Sequence, residues 1–267
     1  MPSFPNVRLA SRPLHFIYLC DCSGSMAAQG KMQALNQAIR QSLPGMARVA
    51  RDNPEAQVLV RAVCFADRAQ WHVPTPTPVE ELQWQDLQAG GVTAMGEALE
   101  LLAEQLASPP MEERALPPVL VLISDGQPTD DFESSLNNLM GLHWAQKAVR
   151  LAIAMGHDAD LEVLQQFIGT DPATGQAFAS VPDGGISSEP SLGLGASGGR
   201  SPRRPLQASN ATALAQYIQW ASTAVVGAAS MPASRIGGKS NGEGNIPLPE
   251  LPPTLLDPVD DIGPVVW

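Results

Sequence analysis

The chain has 267 residues with 27 acidic and 16 basic side chains, a formal net charge of −11. No run of Lys or Arg offers the footprint that a phosphate backbone or an anionic membrane requires, so nucleic acid and membrane are excluded as first partners. Hydrophobic residues make 44%, enough for a core. Charged residues make only 16%, and 23 Gly and 25 Pro are in excess, so part of the chain is neither core nor ordinary surface.

The first thirteen residues read as an N-terminal arm. The apolar stretch that follows is too short for a membrane span or a signal peptide, which predicts a cytoplasmic protein. Four apolar, β-branched runs come next: Leu14 to Asp21, Val58 to Ala66, Pro118 to Asp125 and Ala148 to Gly156. They are near-continuous rather than alternating, as strands covered on both faces should be.

Between the runs lie helical spacings: Met32, Leu35, Ile39, Leu43, Met46 and Val49, then Met95, Leu99, Leu102 and Leu106. Further helices are predicted over Leu136 to Trp144, Ala159 to Ile168 and Ala211 to Val226. Asp67 and Arg68 read as a tight turn, giving one antiparallel hairpin at a sheet edge. Pro74 to Pro78, a Pro-Thr alternation, reads as a rigid connector. The predicted fold is α/β, with a doubly wound, mainly parallel sheet and that one hairpin. The domain is expected to span 14–228.

Two segments break the pattern. Residues 169–205 are rich in Gly, Ser and Pro and read as a flexible insertion before a short last strand near Leu206 to Ser209. Residues 229–267 are Gly-rich, then Pro-rich and acidic, the composition of a solvated disordered tail. Its apolar end, Val265, Val266 and Trp267, also fits a docking peptide for a groove on a partner.

Chemistry concentrates at strand ends. Two runs end in aspartate, Asp21 and Asp125, and doubly wound sheets bind ligands beyond the carboxyl ends of their strands. Asp21, Ser23 and Ser25 alternate along what reads as an extended loop, so their oxygens can point the same way. Gly90 and Gly91 allow a close backbone approach, and Thr93 adds a hydroxyl. Two carboxylates and three hydroxyls form a hard, oxygen-only donor set. It suits Mg²⁺, with Mn²⁺ a second fit, and disfavours Zn²⁺ and Cu.

The segment FIYLCDCSGSM resembles the first motif of the von Willebrand factor A domain, the D-x-S-x-S of the metal-ion-dependent adhesion site. GGVTAMGEALELL is similar to its threonine motif and VLVLISDGQPTDD to its final aspartate motif. The resemblance assigns Asp21, Ser23, Ser25, Thr93 and Asp125 to the metal, with the three hydroxyls as direct ligands. It implies a non-enzymatic module in which the metal receives a carboxylate from a partner protein. GVTAMGEALELL, the SDGQPTD turn and MGLHWAQKAVRLAIAMG are most similar to the bacterial TerY-like branch. That branch implies tellurium-resistance or stress signalling, with a PP2C-type phosphatase and a serine/threonine kinase as partners.

Other features read as structural. Cys20, Cys22 and Cys64 lack zinc spacing and read as small buried residues of a reducing compartment. The four histidines form no catalytic pattern, and Trp71, Trp84, Trp144 and Trp220 read as packing. A rival reading is a Mg²⁺-dependent phosphohydrolase of the haloacid-dehalogenase type with Asp21 as nucleophile. Against it, Ser23 stands where a second carboxylate is needed, and Lys31 and Lys147 lie far from the motifs, so no lysine is expected at the site.

Overall fold

The structure, a computed structural model, describes residues 11–169, 204–230 and 249. Six strands form one sheet: β1 (Arg12–Asp21), β2 (Ala56–Phe65), β3 (Ala69–Pro78), β4 (Val119–Ser124), β5 (Val149–Met155) and β6 (Leu206–Ala208). Their order is β3-β2-β1-β4-β5-β6. All neighbours are parallel except β2 and β3, the hairpin turned at Asp67 and Arg68. The predicted fold class is therefore the observed one.

Helices cover both faces. One side carries α1 (Lys31–Asp52), α6 (Ala211–Trp220) and α7 (Val226–Ser230), the last two joined by a π-helical turn, Ala221–Val225. The other carries α2 (Met95–Leu106), α3 (Phe132–Met140), α4 (His143–Lys147) and α5 (Leu161–Ile168). On β1 the two cores alternate by residue. Phe16, Tyr18 and Cys20 pack with Leu35 and Ile39 of α1, whereas Ile17 and Leu19 pack with Leu99 of α2 and Leu164 of α5. An unbroken apolar strand is what a two-sided sheet demands.

Three local expectations change. The helix predicted over Leu136 to Trp144 is two helices broken after Gly141, whose amide returns to Asn137 and Asn138 carbonyls and closes α3. The single helix predicted over Ala211 to Val226 continues to Ser230 through the π turn. The Pro-Thr alternation is the outer half of β3, an edge strand. Proline lacks a ladder donor, and only there does its missing N–H cost nothing. The N-terminal residues 1–10, most of the 169–205 insertion and the apolar end Val265, Val266 and Trp267 lie outside the described residues.

The strand order reverses between β1 and β4. α1 leaves β1 toward one face and α3 follows β4 on the other, which opens a crevice above the carboxyl ends of the two strands. Asp21 closes β1, and Asp125 directly follows β4.

Candidate metal centre

Asp21 is fully buried. Its Oδ1 accepts the Ser23 amide at 2.8 Å and its Oδ2 the Ser124 hydroxyl at 2.5 Å. Burial pushes the Asp21 carboxyl above the usual range; the bonds from Ser124 and Ser23 oppose that, and nearby Asp125 adds to it.

The loop is extended only as far as Ser23, because Ser25 already lies in a 3-10 turn, Gly24–Gly30, seated by the buried Met26. The hydroxyls meet all the same. Ser23 Oγ lies 2.9 Å from Ser25 Oγ, and Ser25 Oγ donates to Asp125 Oδ1 at 2.6 Å.

The threonine arrives on a second loop clamped to the first. Gly24 N donates to Gly91 O at 3.0 Å and Gly90 N to Cys22 O at 2.8 Å. Gly91 needs to be glycine here: it has φ +84°, and a Cβ on it would fall 2.5 Å from Asp67 Oδ1. Thr129 holds the Thr93 backbone at both N and O. A Cβ on Gly126 would lie 3.4 Å from Thr93 Oγ1 and 3.7 Å from Asp21 Oδ2, so that glycine keeps open the space between the two groups. All five residues named from the sequence thus converge on one crevice.

The oxygen spacing fits a small hard cation. Metal–oxygen bonds of 2.0–2.1 Å put adjacent corners of an octahedron about 2.9 Å apart, the separation of Ser23 Oγ and Ser25 Oγ. Among the described residues no group of three or more His, Cys, Asp or Glu has metal-holding geometry.

Two participants went unread in the sequence. Ser124, fully buried, fixes the Asp21 carboxylate. Lys31, expected to be remote, has its Nζ 2.7 Å from Asp125 Oδ2 and 3.8 Å from Asp158. Lys31 and Asp125 are 94 residues apart in sequence, and the 3-10 turn at Gly24–Gly30 sets the start of α1 where the two meet. A Cβ on Gly156 would meet the Lys31 ammonium at 3.2 Å, so the glycine leaves it room. The signal was present: Lys31 falls in phase with Leu35 and Ile39 on the buried face of α1. Beside it Ser25, Ala28, Gln29, Lys31, His157 and Asp158 line an open cavity of about 300 Å³.

No curated protein matches the chain in sequence. Among solved structures it is similar to a von Willebrand factor type A protein from Catenulispora acidiphila, at 18% identity and TM-score 0.49, over 82% of this chain and 43% of that one. A mutant of the PilB minor pilin from Streptococcus sanguinis aligns at 13% identity and TM-score 0.51, over 84% of this chain and 63% of that one. The manganese-loaded TRAP protein of Plasmodium vivax aligns at 16% and 0.45, over 60% and 64%. The chain thus spans less than half the length of the first of these relatives. The family model for the von Willebrand factor type A domain matches residues 17–186, most of the chain, and the chain belongs to that family.

Proposed function

We propose that Asp21, Ser23, Ser25, Thr93 and Asp125 hold a divalent cation, Mg²⁺ or Mn²⁺, and that the loaded site binds a carboxylate of a partner protein. The observation that carries this is the chain of oxygens from Ser23 through Ser25 to Asp125, next to Asp21 and Thr93 in the crevice where the strand order reverses. Family domains in general bind metal at such a site and mediate protein contacts. The metal would supply positive charge that offsets desolvation of the partner's carboxylate. The protein's own groups do the positioning: the glycine clamp sets the distance between the loops, and Ser124 orients Asp21.

The finer reading is a TerY-like scaffold that joins a PP2C-type phosphatase and a serine/threonine kinase in a bacterial stress or tellurite-resistance system. It rests on the three segments quoted for that branch. A cytoplasmic setting accords with three unpaired cysteines, and among the described residues no helix is long and apolar enough to cross a membrane.

One observation favours a second reading. Lys31 at Asp125 supplies the lysine that a phosphohydrolase of haloacid-dehalogenase type needs. Ser23 still occupies the place of its acid or base, and Lys31 is held by Asp125 rather than aimed at Asp21.

The test is capture from the native host's lysate on wild type in Mg²⁺, wild type in EDTA, and Ser25→Ala in Mg²⁺. A kinase or phosphatase retained only by wild type in Mg²⁺ is the expected result. The same proteins in all three samples would remove the metal from the contact and point to the tail. Hydrolysis of a generic phosphate ester that disappears in Asp21→Ala would establish the enzyme instead.

A further inference from the structure

Helix α2 begins without a cap of its own. Its N-cap position is Ala94, which has no side-chain oxygen to accept the first-turn amides. Another element meets them instead. On the loop between β4 and α3, Asp130 Oδ1 accepts Gly96 N and Asp130 Oδ2 accepts Glu97 N, both at 2.8 Å. The carboxylate thus spans two donors at the positive end of the helix, where its charge is favoured. Gly96 permits the approach, since a Cβ there would lie 3.0 Å from Asp131 O and 3.1 Å from Asp130 Oδ1.

The same loop reaches the candidate metal site twice. It starts at Asp125, directly after β4. Just before Asp130, Thr129 Oγ1 accepts the Thr93 amide at 3.2 Å, and Thr129 N donates to Thr93 O at 2.9 Å. Thr93 is in turn joined to the capped helix end, because Met95 N also donates to Thr93 O at 2.9 Å. Four hydrogen bonds therefore stitch residues 129–130 to the segment 93–97.

We propose that Asp130 is a positioning residue of the metal site: by capping α2 from the β4–α3 loop, it fixes where Thr93 delivers its hydroxyl relative to Asp125. The role rests on the reading of the crevice as a metal site. The body of α2 is anchored by Met95, Leu99 and Leu102, all buried in the core, whereas Thr129 and Asp130 are exposed on the loop. Thr129 can hold Thr93 in place only while the loop stays against the helix, and the two Asp130 bonds fasten it there. Mg²⁺ and Mn²⁺ sites demand well-placed oxygens, so slack at this joint weakens binding although Asp130 touches no metal.

The adjacent carboxylate does a different job. Asp131 Oδ1 accepts Ser134 N at 3.2 Å and caps α3, the helix that it precedes. Two neighbouring aspartates thus cap two helices, and of the two side chains Asp130 is the one bonded to the segment that carries Thr93. This supplies a control matched in charge and in the kind of bond lost.

Mn²⁺ titration and thermal denaturation of the full chain test this in Asp130→Ala, Asp130→Asn and Asp131→Ala. Each alanine variant loses one helix cap and one negative charge, so both should melt below wild type. Mn²⁺ affinity should fall about tenfold in Asp130→Ala, the scale at which residues behind a ligand act, and stay close to wild type in Asp131→Ala. Asp130→Asn, which keeps one acceptor oxygen, should fall between wild type and Asp130→Ala. In a Thr93→Ala background, Asp130→Ala should cost little further affinity, because it acts through that hydroxyl. Equal losses in Asp130→Ala and Asp131→Ala, no loss in either, or a loss that adds in full to that of Thr93→Ala would overturn the positioning role and leave Asp130 a helix cap. A wild type that binds no Mn²⁺ would overturn the metal site itself, and the role with it.

Discussion

Lys31 Nζ and Asp125 Oδ2 form a buried ion pair of 2.7 Å, with 5% of the lysine side chain and none of the aspartate's exposed. The ammonium shares the carboxylate on which the proposed cation also draws. Removing it leaves Asp125 buried without compensation, a loss of about 3 kcal/mol or more. It also removes a positive charge that repels the metal. Lys31→Met is therefore expected to melt at lower temperature than wild type without metal, and to regain more stability than wild type gains when Mn²⁺ is added. Thermal denaturation of both proteins with and without Mn²⁺ checks this, and an equal Mn²⁺ increment in both would refute the competition.

Asn36 pins the long loop between β3 and α2 to α1. Its Oδ1 accepts Trp84 Nε1 at 3.0 Å and Leu87 N at 2.8 Å, and its Nδ2 donates to Leu87 O at 3.0 Å. Asn36→Leu strands these buried groups at about 1–3 kcal/mol apiece. The variant should unfold at lower denaturant than wild type and show red-shifted tryptophan emission as Trp84, now 7% exposed, meets water. Because the same loop delivers Thr93, its Mn²⁺ affinity should fall as well.

Gly91 holds φ +84°, where an L side chain is strained and its Cβ would meet Asp67 Oδ1 at 2.5 Å. Gly91→Ala should cost about 1–3 kcal/mol and loosen the clamp formed with Gly24. Glycine at position 90, where a Cβ meets nothing within 4 Å, serves as the control. Gly90→Ala should leave chemical denaturation curves nearly unchanged, and equal losses in the two variants would contradict this assignment.

Glu97 ties α2 to the β3 hairpin. One carboxylate oxygen accepts the Ala69 amide at 2.9 Å and the other Arg68 Nε at 2.7 Å. The Ala69 bond lowers its pKa below 4.5; slight burial opposes, and Arg68 assists. A carboxyl lowered in the folded state adds stability above its ordinary value and loses it as pH falls through the lowered one. The group is well solvated, so Glu97→Gln should cost only about 0.5 kcal/mol near neutrality, and the difference from wild type should shrink as pH falls below 4.5 and the carboxylate is protonated. A difference that persists in acid would mean the carboxylate charge is not its source.

The sheet was legible because the parallel strands are covered on both faces and so read as unbroken apolar runs, as in FIYLC of β1. That Asp21 and Asp125 stand at one crevice was legible because each closes or directly follows an apolar run at the carboxyl end of a strand. Lys31 was hidden, since its contact depends on how the 3-10 turn at Gly24–Gly30 redirects the chain, which linear distance does not express. Ser124 read as one residue inside the run Pro118 to Asp125, and only the register of β1 against β4 turns its hydroxyl toward Asp21. The Pro-Thr alternation misled because a proline run reads as a connector wherever its neighbours are unknown, and an edge strand tolerates it.

The most direct test of the metal site is calorimetric titration of Mn²⁺ into reduced wild type and into Thr93→Ala. Thr93 supplies a hydroxyl on a loop whose backbone is held independently by Thr129, so the variant keeps its fold while losing one donor. One Mn²⁺ per wild-type chain is expected, with a loss of more than about tenfold in affinity for the variant, since even changes outside the ligand shell act on that scale. Absence of binding to wild type, or equal binding to both proteins, would contradict it.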